Sequence, residues 1–286
     1  MKYKSGFFIL FIPLLSILVI SCKSGGTEKN AAVPPLPASP VIGQETSLLL
    51  KDLEENGDYV NSQYFPSLIK ASVVFGELEK NNLVIDLRTT ESYRKGHIKG
   101  AVSKNFSDIP DYFETGIRPF EYDRIIMVCD DGQISSYTTA LLRMMGYGNV
   151  FALRWGMGGW NRTYAQDGWM KGVSGKYEDR LETLTTEAPA PAGMPELLTG
   201  SAAGKEIADA RFGKLFEEGT GEVLVTADEV FSDPEKYFVI NLERKDKYDD
   251  GHIPGAVRYK PESTLGFPDV MATIPYDKTV VIYCGT

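Results

Sequence analysis

The sequence predicts an α/β fold made twice, each copy a central parallel sheet flanked by helices. Two observations carry this. Short apolar, β-branched runs alternate with helical patterns, as parallel strands joined by crossover helices do. And a strand-to-cysteine segment is written twice, 155 residues apart. Val84-Ile85-Asp86-Leu87-Arg88 returns as Val239-Ile240-Asn241-Leu242-Glu243. Tyr93 and Gly96-His97-Ile98-Lys99-Gly100-Ala101 return as Tyr248 and Gly251-His252-Ile253-Pro254-Gly255-Ala256. Met127-Val128-Cys129 returns as Ile282-Tyr283-Cys284. The offset holds without a gap from Asp86 to Cys129, which marks two copies of one domain. A chain of 286 residues has room for both.

The elements follow in chain order. Residues 1–22 read as a secretory signal: Lys2 and Lys4 precede an apolar run from Gly6 to Ile20 that is short for a membrane span, and small residues stand at the cut. Val19-Ile20-Ser21-Cys22 resembles the lipobox of bacterial lipoproteins. That resemblance implies acylation of Cys22 and a protein held through its N-terminal lipid on a bacterial membrane, in the extracytoplasmic cell envelope. Residues 23–58 are a polar, proline-bearing tether followed by a short helix over Ser47–Glu55.

Residues 59–173 make the first domain. Leu83–Leu87 is a buried strand, and Glu91–Lys95 a short helix stopped by Gly96. Arg124–Val128 is a second strand. Ser135–Met145 is a helix with Ala140, Leu141, Met144 and Met145 on its apolar side, and Asn149–Leu153 is a third strand. Residues 174–221 are a linker, Pro-rich over Glu187–Pro195, with a helix over Ser201–Glu218. Residues 222–286 begin the second copy, where Val223-Leu224-Val225-Thr226 matches Leu68-Ile69-Lys70-Ala71. This copy is expected to be incomplete, truncated after Cys284, because the counterparts of Ser135–Leu153 do not follow.

Bulk properties exclude some functions. A net charge of −9 argues against a nucleic-acid partner, which needs a basic face. No Cys/His cluster has metal-ligand spacing, so no metal is expected. Gly156-Met157-Gly158-Gly159 lacks the strand–helix frame of a dinucleotide loop, and no cofactor is expected. Cys129 and Cys284 are equivalent positions of separate domains, which rarely meet at disulfide distance.

Cys129 ends an apolar strand. Asp130, Asp131, Gly132, Gln133 and Ile134 follow, and Ser135 opens a helix. Successive amides of such a loop converge, and the helix dipole adds positive charge there. A thiolate on that sulfur, or an anion beside it, is favoured.

Taken together, Asp86-Leu87-Arg88, Glu91, Tyr93, Gly96-His97-Ile98-Lys99-Gly100-Ala101, Cys129-x-x-Gly132 and Gly156-Met157-Gly158-Gly159-Trp160 resemble a rhodanese-like domain, over roughly residues 66–170 and again over 222–286. The resemblance implies a small α/β domain whose loop cysteine moves sulfane sulfur as a persulfide, from a donor to an acceptor that is a small molecule or a protein thiol. Cys129 would be the nucleophile, with Cys284 its counterpart in a completed second domain. The backbone amides from Asp130 to Ser135 would be the anion cradle. Related phosphatases place an arginine six residues beyond the cysteine. Here Ser135 stands there, and no arginine follows until Arg143, so phosphoryl chemistry is excluded.

The acidic loop sets this copy apart. Asp130 and Asp131 should raise the thiol pKa and repel thiosulfate-like dianions. A cationic, neutral or protein-bound donor suits it better. The second loop lacks these carboxylates and should bind anions better. Asp86, Arg88, His97 and His252 read as structural: the histidines sit in a Gly-His-Ile turn, and Arg88 pairs with Glu91 to fix the loop. Trp155, Trp160 and Trp169 read as core and closure. The alternative function is a non-catalytic binding or sensing module of the cell envelope, favoured by Asp130 and Asp131.

Overall fold

The computed structural model describes residues 42–56, 66–261 and 268–284. The predicted signal segment, Cys22 and the tether to residue 41 lie outside the described residues, as do Gly285 and Thr286. Among the described residues no helix is long and apolar enough to cross a membrane.

The chain opens with α1 (Gln44–Asn56). There follow β1 (Leu68–Ile69), α2 (Ala71–Gly76), β2 (Asn82–Asp86), α3 (Thr90–Lys95), β3 (Val102–Ser103), α4 (Ile109–Asp111), β4 (Arg124–Val128), α5 (Gln133–Met144) and β5 (Val150–Leu153). Two short helices, α6 (Gly156–Trp160) and α7 (Arg162–Asp167), close the first half. Its five strands form one parallel sheet in the order β1-β5-β4-β2-β3. Alternation along the strands sends Leu83, Ile85, Ile125 and Met127 to one face, and Val84, Ile126 and Val128 to the other. Both faces are covered, which is why β2 and β4 read as unbroken apolar runs.

The hidden side of α5 differs from expectation. Leu141 and Leu142 are buried with Thr138, Thr139 and Arg143, while Ala140, Met144 and Met145 are half-buried. Arg143 is drawn inward because its Nε donates to the Val150 carbonyl of β5 at 2.7 Å.

Residues 174–221 serve both halves. Tyr177 stacks on Phe231 at 4.1 Å, Lys176 pairs with Asp228 at 2.8 Å, and the backbones of Glu182 and His252 form an antiparallel bridge. The chain then returns to the first half. Thr46 donates to the Pro195 carbonyl at 2.7 Å, and the Glu45 carboxylate accepts the N–H groups of Thr199 and Gly200 at 2.7 and 2.8 Å. Next, α8 (Gly204–Glu218) places Ala208, Phe212 and Phe216 in the core on the Ile85 face of the first sheet.

The second copy contains α9 (Ala227–Ser232), β6 (Tyr237–Asn241), α10 (Lys245–Asp250), β7 (Val257–Arg258), α11 (Pro268–Met271) and β8 (Thr279–Tyr283), with a parallel sheet in the order β7-β6-β8. Val223–Val225 form no strand, although Leu68–Ile69 do. β1 exists by bonding to β5, and no strand among the described residues takes that place beside β8. Thr226 instead caps α9, in a reciprocal box with Glu229. Val280 and Ile282, at the positions of the fully buried Ile125 and Met127, are 38% and 55% exposed. Cys129 and Cys284 are both free thiols.

Candidate active site

Cys129 leaves β4 at its C-terminal end, and the loop turns through Gly132, whose φ of +97° is left-handed. That conformation favours glycine. A side chain there would also press on the backbone nitrogens of Trp155 and Gly156, at 3.1 and 3.2 Å. The turn aims two amides at the sulfur: Gly132 N–H at 3.1 Å and Ser135 N–H at 3.3 Å. The expected cradle of every amide from Asp130 to Ser135 is thus narrower. Gln133 N–H is taken by the Asp131 carboxylate at 2.9 Å. The fully buried Ser135 hydroxyl lies 3.4 Å from Sγ and also donates to the Gly132 carbonyl at 3.2 Å. Sequence reading assigned Ser135 its amide alone.

A second segment fixes the outer side of this loop. Met157 and Gly158 donate their N–H groups to the carbonyls of Cys129 and Asp130, at 2.8 and 3.0 Å. With those carbonyls held outward, the amides that follow are free to face the sulfur. Gly156 (φ +52°) sits so close that a Cβ would collide with the Cys129 carbonyl oxygen. The glycine run was visible in the sequence, but its target 27 residues upstream was not. Trp155 precedes it with φ +64°, rare for a bulky residue. Trp155 and Trp169 are each 36% exposed, so they stand at the surface beside the loop rather than in the core; Trp160 is half-buried.

Asp86 and Arg88 lie at the adjoining tip of β2. Their side chains, each 1% exposed, form a bidentate pair, with Arg88 Nε and Nη2 reaching the Asp86 carboxylate at 3.0 and 2.7 Å. The expected Arg88–Glu91 pair is absent; Glu91 pairs with Lys95 instead. Asp86 wins because it ends the strand, on the buried side of the turn. In the second copy Asn241 and Glu243 hold these positions. Asn241 accepts the Glu243 N–H at 2.9 Å, and Arg244 pairs with exposed Asp246.

The two histidines are held by their own turns. His97 is exposed, bonds the Tyr93 carbonyl at 2.9 Å and stacks on that ring. His252 is buried, bonds the Tyr248 carbonyl at 2.7 Å, stacks on Tyr248, and lies 3.1 Å from the Leu184 carbonyl of the linker.

Cys129 is buried, with 5% of the residue exposed. Burial pushes its thiol above the ordinary range. The Ser135 hydroxyl and amide pull it back, Asp131 raises it further, and the Gly132 amide pulls it down. Asp130 is exposed, with Arg88 as its charge partner, so the expectation that both carboxylates act on the sulfur holds for Asp131 alone. Since only the thiolate reacts, alkylation of Cys129 should climb about tenfold per pH unit and keep rising through about pH 9. A plateau near neutrality in a pH–rate profile would contradict this. The Cys284 thiol is also raised, by burial and then by Glu243.

The pattern of the Rhodanese-like domain matches residues 74–163 and 226–286. The chain is 29% identical over 111 residues to a tRNA uridine(34) hydroxylase of Prochlorococcus marinus, covering 36% of this chain and 33% of that protein. It is 32% identical over 77 residues to the protein of that name from Teredinibacter turnerae, covering 26% and 24%. The chain thus spans a third or less of the length of these relatives. Similar solved structures include a thiosulfate sulfurtransferase from Pseudomonas aeruginosa (19% identity, 83% of this chain and 41% of that one, TM-score 0.33). Another is a rhodanese-like domain protein from Staphylococcus aureus (23% identity, 33% and 91%, TM-score 0.30). Matched in two segments that together exceed half its length, the chain belongs to the rhodanese-like domain family.

Proposed function

We propose that this protein is a sulfurtransferase in which Cys129 takes a sulfane sulfur as a persulfide and passes it to a thiol acceptor. The observation that carries the reading is the convergence of the Gly132 and Ser135 amides on Sγ. Those donors suit a thiolate, and equally the persulfide anion that follows. Incubation with a sulfane-sulfur donor should add one sulfur to the protein by mass spectrometry. Cys129→Ser should gain none there, and an equal gain in this variant would reject Cys129 as the carrier. Cys284 would be a second carrier only with its loop complete. By the residues of its N-terminal segment, the protein would work outside the cytoplasm, lipid-anchored through Cys22. Burial of Sγ and the raised thiol favour a second reading, a binding or sensing module, which predicts no adduct with any class of donor.

A further inference from the structure

We propose that Asp131 selects the sulfur donor, admitting thiol persulfides and turning away thiosulfate-like dianions. The inference rests on reading Cys129 as the sulfur carrier. Asp131 Oδ1 lies 3.6 Å from Sγ and accepts the N–H of Gln133, the first residue of α5. In an anion-holding loop that amide would serve the oxygens of an incoming donor. Here a carboxylate of the chain already holds it, beside the nucleophile. Asp130 has the same charge but a different place, exposed and facing Arg88. Loop composition would weigh the two aspartates alike; their distance from the sulfur and their exposure separate them.

The two donor classes differ in what they bring beside Asp131. With a persulfide R–S–SH, the Cys129 thiolate attacks the outer sulfur and the S–S bond breaks. R–S⁻ leaves and Cys129–S–SH remains. With thiosulfate, attack on the outer sulfur leaves Cys129–S–S⁻ and expels sulfite as a dianion. Only the second route brings three anionic oxygens to the amide that Asp131 occupies.

The test uses the whole chain and Asp131→Asn, which keeps the shape of the side chain and an oxygen for Gln133 N–H while removing the charge. The first readout is the ratio of Cys129 alkylation rates with iodoacetate and iodoacetamide. Both need the thiolate, so the ratio cancels the thiol pKa and reports charge beside the sulfur. It should rise about tenfold, from loss of one nearby unit charge. The second readout is sulfur loading by thiosulfate relative to cysteamine persulfide, which should rise by a similar factor. Asp131→Ser, with a hydroxyl in place of the carboxylate, should shift both ratios the same way if the asparagine variant folds poorly. An unchanged alkylation ratio overturns the assignment of Asp131. A raised ratio with no sulfur loaded by either donor overturns the sulfur-carrier reading instead, and donor selection with it.

Discussion

Arg88→Ala should destabilise the first half by about 3–5 kcal/mol, the cost of leaving a buried partner charge uncompensated. The Asp86 carboxylate is held by the Arg88 side chain and by the Arg88 backbone N–H at 3.0 Å. Arg88 Nη2 also donates to the Gly96 carbonyl at 2.7 Å, and the guanidinium lies 5.5 Å from the Tyr164 ring. The variant therefore strips the strand tip of several bonds and leaves a carboxylate in the interior with one amide. That tip adjoins the site, because Leu87 N–H donates to the Val128 carbonyl at 2.8 Å, one residue before Cys129. Urea unfolding should show the loss as a lower midpoint. Arg244→Ala, in the corresponding turn of the second copy, removes an exposed pair and should cost no more than about 1 kcal/mol. Replacing both charges, as Asp86→Leu with Arg88→Met, should recover much of the loss, since a buried pair is worth little against apolar packing. A single variant as mild as Arg244→Ala would mean that water reaches Asp86.

How far the sequence could be read depends on how local each cause is. β2 and β4 were legible because burial on both faces writes an apolar run that needs no knowledge of neighbours. The cysteine loop was legible as strand, turn and helix for the same reason. Three features depended on distant partners. Val223–Val225 match β1 in pattern, but a strand exists only beside another strand. Asp130 and Asp131 are adjacent in sequence, yet Asp131 lies beside the sulfur while Asp130 is exposed, with Arg88, 42 residues upstream, as its charge partner. The hold of Met157 and Gly158 on the loop carbonyls comes from a helix beyond β5, and the glycine run shows only that some backbone passes close. Arg88 pairs two residues back rather than three ahead because Asp86 ends a buried strand while Glu91 sits on an exposed helix.

Phe216→Ala tests the same distinction at the scale of a domain. The sequence says that residues 201–218 form a helix, without saying which face is buried or against which sheet. The structure puts that face on the first sheet: Phe216 is 1% exposed and stacks on Phe106 at 4.8 Å, with Phe212 and Ala208 beside it. Loss of this ring should cost about 3–5 kcal/mol, the transfer of a buried phenyl plus the cavity it leaves. All three tryptophans, Trp155, Trp160 and Trp169, precede the linker, so their fluorescence reports the first half. The tryptophan transition should therefore move to lower denaturant although the substitution lies beyond residue 200. Phe120→Ala, at a 72% exposed ring, should move it by less than about 0.5 kcal/mol. By the same logic a fragment ending at residue 173 lacks Ala208, Phe212 and Phe216 from the core on the Ile85 face, and should bind a hydrophobic dye or aggregate where the whole chain does not. If Phe216→Ala left the tryptophan transition in place, α8 would be undocked in solution, and the first half would owe none of its stability to it.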